Sequence, residues 1–568
     1  SVKALEGARG EQQLGVLVNL LQRIWTHLLK WSGPVVTMKM ARCRFLVVVL
    51  LASGVGHKGD DLQERIPRKK GTYEGTEKIR WHLEQAVTLL EHFPLVGLYS
   101  QACKLLGMEN LDGDAWRTAA VLSEAAAVTL RHQFLITLHK QIRNHQKESA
   151  ADNGRNSALE KKRELEALIA ARDSVLFPWG TGRFQQMGQS VMSEFQDIMQ
   201  VNRTASKISC KVKWWSTRLE LDMRLEGLLE TIERRWLGAW RCLLLGQTSD
   251  STYEGLLAAA AKKLARNLST LLNTAVSVKM AKTLLELSHS ADTEHHLPII
   301  LSHFLHIDAD APQMGGLVTA LTDARPTVTP TPNQPVVLIL DKNLHALPWE
   351  NLPVLASQQV TRVASLAALH LMLQFNAGDS SVLQRGVDQT SVFYVVDPDN
   401  NLKYTLDTFK DMFSRQQGWK GIVGERPNKA QYCDALTQHD LFVYCGHGNG
   451  SKYLSGDELQ QQRCRAVSVL MGCSSVRLDV KPRLDPDGFV FNYLLARCPS
   501  VVGNLWDVTD RDIDRFLKQL LDLWLEGDHD KPPSLPALIP AARLACRMRH
   551  LIGAAPVVYG LPVTLTKS

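Results

Sequence analysis

Two short apolar runs near the C-terminal end, each closed by a glycine-bracketed reactive side chain, constrain this chain more than any other feature. The first is Leu441-Phe-Val-Tyr-Cys-Gly-His447-Gly448 and the second is Ala466-Val-Ser-Val-Leu-Met-Gly472-Cys473-Ser-Ser475. Runs of this length, rich in Val, Leu and Phe and bounded by Gly and polar residues, read as buried strands of a parallel sheet. Between them Asp457-Glu-Leu-Gln-Gln-Gln462 supplies a short crossover helix. A strand, a right-handed crossover and a parallel strand put both carboxyl ends on one edge, where open α/β sheets keep their chemistry. His447 and Cys473 are therefore expected in one crevice, as proton-transfer partner and nucleophile. Gly446, Gly448 and Gly472 allow sharp turns there, and the amides of Gly448 and Cys473 are placed to face a developing oxyanion.

Blander readings weigh less. A cysteine at a strand end is more often a small buried hydrophobe than a nucleophile. Here, however, both reactive residues close glycine-bracketed strands of the same sheet. The Gly446-His-Gly448-Asn-Gly450 string is not a dinucleotide loop, because position 451 is Ser and no acid ends the next strand to hold a ribose. No Walker loop occurs in the sequence. Cys433, Cys445, Cys464, Cys473 and Cys498 lack Cys-x-x-Cys spacing, so no metal is expected, and no cofactor is implied.

These residues resemble the separases, caspase-like (clan CD) cysteine endopeptidases of chromosome segregation, whose members carry similar Gly-His-Gly and Met-Gly-Cys-Ser-Ser turns. Further segments agree: His345-Ala-Leu-Pro-Trp-Glu-Asn-Leu-Pro353, Asn492-Tyr-Leu-Leu, Pro499-Ser-Val-Val-Gly-Asn-Leu-Trp-Asp-Val-Thr-Asp510 and Pro556-Val-Val-Tyr-Gly-Leu-Pro562. The match covers about the last 240 residues by motif placement. Upstream it thins to fragments such as Leu237-Gly-Ala-Trp-Arg-Cys-Leu-Leu-Leu-Gly246.

The resemblance implies an endopeptidase that cuts after Arg at Glu-x-x-Arg sites in the kleisin subunit of cohesin, releasing sister chromatids at anaphase. It also implies inhibition by securin and by a cyclin-dependent kinase–cyclin complex. The implied location is cytoplasm and nucleus, with chromosomes, centrosome and spindle in mitosis. Cleavage after Arg calls for an acidic P1 pocket. Asp507 and Asp510 lie just past the strand that follows the cysteine strand, and a carboxylate is the natural partner of a guanidinium. Asp510 is preferred over Asp507, although Asp510 also suits the cap of a helix beginning near Arg511. The cation reading a P4 acid stays open among Lys452, Arg477, Lys481 and Arg483. No third catalytic residue is required, and the sequence offers no clear Asp or Asn to orient His447. Glu160-Lys-Lys-Arg163 and Glu77-Lys-Ile-Arg80 fit the cleavage rule, and self-cleavage is expected after Arg163. The rival reading is an inactive caspase-fold scaffold that binds securin-like partners. Caspases themselves read Asp through an Arg-lined pocket, the reverse of this edge.

The expected fold is α/β, a caspase-like, mostly parallel sheet with helices on both faces, preceded by an all-α region. Three segments are expected: a helical region over 1–245, a helical segment with an inactive caspase-like supporting domain over 246–387, and the active protease domain over 388–568. Helical periodicity covers Gly113 to Gln146, Ser157 to Asp173, Trp214 to Leu245 and Tyr253 to Ser288. Asn144 to Arg163 is polar enough for a surface loop, and Gly97 to Gly107 is similar to a single unit of a helical repeat. Arg325 to Pro335 is an extended linker. Val336 to Leu340 is a buried strand, and from Ser391 onward strands and helices alternate: a strand over 391–396, a helix over 402–416, a strand over 421–423, a helix over 429–437, the histidine and cysteine strands, a helix over 489–498 and a strand over 500–506, the signature of a parallel sheet. With 568 residues, 45% apolar and 22% charged, the chain has material for two to four domains. Its net charge of +7 has no Lys/Arg tract behind it, which gives nucleic acid binding little support. Ten scattered cysteines fit a reducing compartment. Met38 to Ala52 has the pattern of a signal peptide in the wrong place and is too short to span a bilayer. It is read as a buried element or a gene-modelling artefact, and the chain, starting at Ser1, as a C-terminal fragment.

Overall fold

The computed structural model describes residues 80–81, 83–88, 96–109, 115–126, 182–246, 250–288, 296–305, 307–327, 334–341, 343–480, 486–525 and 532–566. The expectations for residues 38–52, 144–163 and 157–173 lie outside these, as do most of 113–146 and the centre of the 325–335 linker.

Eight strands form one sheet: β1 Val336–Leu338, β2 Val360–Arg362, β3 Val392–Val396, β4 Lys420–Val423, β5 Leu441–Cys445, β6 Val467–Leu470, β7 Ser500–Asn504 and β8 Pro556–Gly560. Their order is β1-β2-β8-β7-β6-β5-β3-β4. Every neighbouring pair is parallel except β7 and β8. The central strands are buried throughout, as their unbroken apolar sequences require. Strands β1 and β2 join the sheet through β8, so it runs continuously across the 387/388 boundary. Helices alternate with the strands from residue 366 onward, among them Lys403–Ser414, Lys429–Gln438 and Asp510–Leu525.

Ahead of the sheet, helices α1 (Gly182–Ala205) and α2 (Lys211–Thr231) pair as a hairpin. Arg224 of α2 joins them by ion pairs to Glu194 and Asp197 of α1 at 2.8 and 2.7 Å. The buried faces of the hairpin, including Phe195, Ile198, Leu221 and Leu225, belong to the same apolar core as the sheet. The helix expected over 214–245 does not stay α-helical. It loosens to a π turn over Ile232–Leu237 and tightens to a 3-10 turn over Gly238–Leu244, the change falling at Gly238 with φ 54°. This lets Glu233 turn inward, where its Oε2 accepts from the Val354 amide at 2.8 Å.

A second core lies in the helices Ser251–Leu272, Val278–Ser288, Leu297–Leu305 and Met314–Ala324. The single helical stretch expected over 253–288 is two helices, because Asn273 takes the left-handed conformation with φ 51° and ends the first. Residues 97–107 sit within the helix Val96–Glu109, which packs on Ala115–Ala126. Among the described residues no helix is long and apolar enough to cross a membrane.

Candidate functional site

Register brings the reactive residues together. Tyr444 of β5 lies opposite Leu470 of β6, so His447 and Cys473, each three residues further on, leave the same sheet edge side by side. The turns that carry them touch. A Cβ built on Gly472 would stand 2.0 Å from the Gly448 carbonyl oxygen, 2.6 Å from that of Gly446 and 2.7 Å from the Gly448 amide nitrogen. Only glycine lets the histidine turn lie on the cysteine turn this closely.

The cysteine turn is held on several sides. Ser475 Oγ donates to the Leu470 carbonyl at 2.7 Å and accepts from the Asn504 amide at 2.9 Å. Asn504 Nδ2 reaches the Gly472 carbonyl at 3.1 Å. Ser474 is left-handed, with φ 52°, a strained conformation for a residue with a side chain. Its amide donates to the Trp506 carbonyl at 3.1 Å and its hydroxyl to Asp507 Oδ1 at 2.6 Å. The strand and the loop after β7 therefore hold the half-buried Cys473 in place. The thiol donates to the Val508 carbonyl at 3.3 Å. Burial pushes its pKa up, and the Asp507 and Asp510 carboxylates push it further, so the resting sulfur is a thiol.

The histidine turn has a partner that the sequence did not single out. His447 Nε2 meets Asn401 Oδ1 at 2.9 Å. An amide oxygen only accepts, so Nε2 carries the hydrogen and Nδ1 keeps its lone pair. Asn401 follows β3, which lies next to β5. The Asn401 backbone N–H donates in turn to Oδ1 of the buried Asp397 at 2.8 Å. The buried Tyr444 hydroxyl donates to the His447 carbonyl at 2.8 Å and fixes the turn from below. The ends of three adjacent strands thus supply Cys473, His447 and Asn401. The only advance signal was the turn-forming string Asp397-Pro-Asp-Asn-Asn401, which is common in loops.

The amides of Gly448 and Cys473 donate to no other backbone carbonyl among the described residues, and Gly448 has φ 66°. Asp507 is half-buried, with one carboxylate oxygen taken by Ser474. Asp510 is exposed and is itself the first residue of helix α3 (Asp510–Leu525), one position earlier than the start expected near Arg511. Of the four candidate P4 cations, Lys452 pairs with Asp399, and Arg477 pairs with Asp479 at 3.1 Å. Lys481 and Arg483 lie outside the described residues. Among the described residues no three His, Cys, Asp or Glu side chains gather closely enough to hold a metal ion.

Comparison with known proteins follows the same line. Residues 182–513 match the family model described as "Separin, protease domain". The mouse separin is 34% identical over 552 residues, covering 84% of this chain and 25% of the mouse protein. The Emericella nidulans separin is 33% identical over 425 residues, covering 66% of this chain and 20% of the relative. The chain thus spans about a quarter or less of the length of these relatives. The yeast (Saccharomyces cerevisiae) separase–securin complex at 3.0 Å superposes with a TM-score of 0.68 at 22% identity, over 94% of this chain and 40% of that one, and so shares the fold. On the family match and the identity to the mouse relative, this chain belongs to the separin, or separase, family and carries its protease domain.

Proposed function

We propose that this chain is the catalytic part of a cysteine endopeptidase that cuts after Arg, with Cys473 as nucleophile and His447 as its proton-transfer partner. The observation that carries this reading is the approach of the two turns at Gly472, which leaves no room for a side chain between nucleophile and base. His447 Nδ1 takes the thiol proton, and the sulfur adds to the scissile carbonyl. The amides of Gly448 and Cys473 donate to the oxyanion. His447 then gives its proton to the departing amine as the C–N bond breaks, and water hydrolyses the thioester to free the acid and restore the thiol. Asp507 and Asp510 supply negative charge for a P1 guanidinium. Asp507 is the better placed of the two, since it is half-buried beside the nucleophile turn and Asp510 is exposed.

In this reading residues 388–568 are the active part, 246–387 its support and 1–245 a helical lead-in. The substrate is the kleisin subunit of cohesin at Glu-x-x-Arg sites, with securin as inhibitor, a kinase–cyclin complex as a second regulator, and the cytoplasm and nucleus as location. The fold shared with a separase solved together with securin supports the inhibitor.

The test uses two fluorogenic peptides with Glu at P4, one with Arg and one with Asp at P1. Turnover of the Arg peptide is expected, with the Asp peptide untouched. Cleavage of the Asp peptide instead would point to a caspase-type pocket, and no turnover from a folded chain would favour the scaffold. Within the same assay, Asn401→Ala is expected to lower kcat about 10- to 100-fold with KM little changed, a fraction of what acid–base catalysis contributes. A KM-only effect would remove Asn401 from the proton-transfer machinery.

A further inference from the structure

The helical hairpin forms one wall of the site. Phe195 of α1 lies edge-on to Trp506 at 5.8 Å, and Asn202 Nδ2 donates to the Asp507 carbonyl at 3.2 Å. On α2, Asp222 Oδ1 accepts from the amides of His550 and Leu551 at 2.9 and 2.6 Å, and the Leu551 carbonyl accepts the Trp506 indole N–H at 2.7 Å. One helical turn before Asp222 stands Arg218, only 6% exposed, its guanidinium 5.2 Å from the Trp214 ring.

A buried guanidinium ordinarily has its donors satisfied. Arg362 of this chain does, against Glu350 and the carbonyls of His345 and Leu347. Arg218 differs, for its Nε and Nη1 are enclosed with no hydrogen-bond partner. Burial pushes this guanidinium down, and the proximity of Cys473 and then of Asp507 pushes it back up.

We propose that Arg218 is a positioning residue for the nucleophile, the standing positive charge that favours the Cys473 thiolate over the thiol. The proposal rests on Cys473 being the nucleophile. Burial and the carboxylates facing this sulfur oppose its ionisation. Burial acts first, and the Asp507 and Asp510 carboxylates of the β7–α3 loop follow. Arg218, from the opposite element, acts the other way. His447 lies on the neighbouring turn and receives the proton. A cation already buried, with donors free, needs no reorganisation when the negative charge forms, and low dielectric enlarges its effect. Its origin on α2 also makes the hairpin a part of the catalytic unit.

The test reads the thiolate directly. The rate of iodoacetamide alkylation at Cys473 is followed by peptide mass spectrometry from pH 5.5 to 9.5, with kcat/KM on the Arg peptide alongside. In Arg218→Met the rising limb of both profiles is expected to move up by about one pH unit, with roughly tenfold slower alkylation at neutral pH and KM unchanged. Arg218→Lys, which keeps the charge, is expected to restore most of the wild-type limb. A folded Arg218→Met with a wild-type alkylation profile overturns the proposal. So does a folded Arg218→Lys displaced as far as the methionine variant, which keeps the question decidable if methionine does not fold. Alkylation needs no turnover. A chain that cuts no peptide would end the peptidase reading, whereas a shifted alkylation limb would still support Arg218.

Discussion

Cys473→Ser is expected to lower kcat/KM on the Arg peptide by roughly a thousandfold or more, and Gly472→Ala to lower it by at least about a hundredfold with Cys473 still in place. The serine change replaces the thiol with a hydroxyl that is far harder to ionise and a weaker nucleophile. The alanine change acts through space alone. Its Cβ would press on the Gly448 carbonyl oxygen, the Gly446 carbonyl oxygen and the Gly448 nitrogen, all backbone, none of which swings aside as a flexible side chain does. The histidine turn must lift away from the cysteine turn. It is resisted by the Tyr444 bond to the His447 carbonyl and by the bracing of the cysteine turn from Ser475 and Asn504. A displacement of about 1 Å between reacting groups already costs on the order of a hundredfold. The measurement is kcat/KM for both variants, with thermal unfolding to verify the fold. A folded Gly472→Ala retaining activity within about threefold, well below that hundredfold expectation, would mean that the two turns do not need this approach.

Glu350→Ala is expected to destabilise the fold by about 3–5 kcal/mol, read as a fall in the urea midpoint. Glu350 lies in the His345 to Pro353 segment, in a 3-10 turn, and is almost wholly buried. Its carboxylate takes both Arg362 Nε and Nη2, at 2.6 and 2.8 Å, in a forked pair. Arg362 ends β2 and is fully buried, and its remaining donors go to the carbonyls of His345 and Leu347. Arg543 comes from the other side, donating to the Glu350 and Pro556 carbonyls at 3.1 and 2.8 Å. Burial pushes Arg543 down to about 10, still protonated at neutral pH. Burial, and then the Arg362 charge, push His345 down to about 3, so it stays neutral. Removing Glu350 therefore leaves two enclosed cations without a counter-charge, which is costlier than removing an entire ion pair. The double variant Glu350→Leu/Arg362→Met is accordingly expected to recover much of the loss. A single-variant loss below about 1 kcal/mol would contradict an uncompensated buried charge. The effect reaches the site because β2 and β8 meet at Arg362 and Tyr559, and β8 carries β7 and its Trp506 to Val508 loop.

Much of this architecture was legible locally. The runs at 441–445 and 467–470 are too apolar and too short for anything but buried strands, and the glycines around His447 and Cys473 mark turns that side chains would block. Period and turn chemistry are properties of neighbouring residues, so they survive without tertiary information. The same holds for the alternation that follows residue 391, whose elements appear in the expected order, although the helix expected over 489–498 ends at Leu495. Interruptions were harder to see. The helical period runs through Asn273 and through 232–244, yet there the backbone follows a left-handed cap and an inward-facing Glu233.

What the tertiary structure alone decided depends on strand order and on contacts across long separations. Asn401 meets His447 only because β3 lies beside β5, an adjacency that no local pattern encodes. Strand β8 enters between β2 and β7, parallel to the first and antiparallel to the second, although its sequence reads like any other buried strand. Asp507 looks like a free carboxylate in sequence, but Ser474 holds one of its oxygens. Arg218 reads as one charge on an amphipathic helix, and only the fold brings it near Cys473 and Asp507. Sequence thus determined the kind of chemistry and the turns that present it, since those follow from residue type and local backbone freedom. The structure decided the partners, since hydrogen bonds and electrostatic fields depend on distance through space and not along the chain.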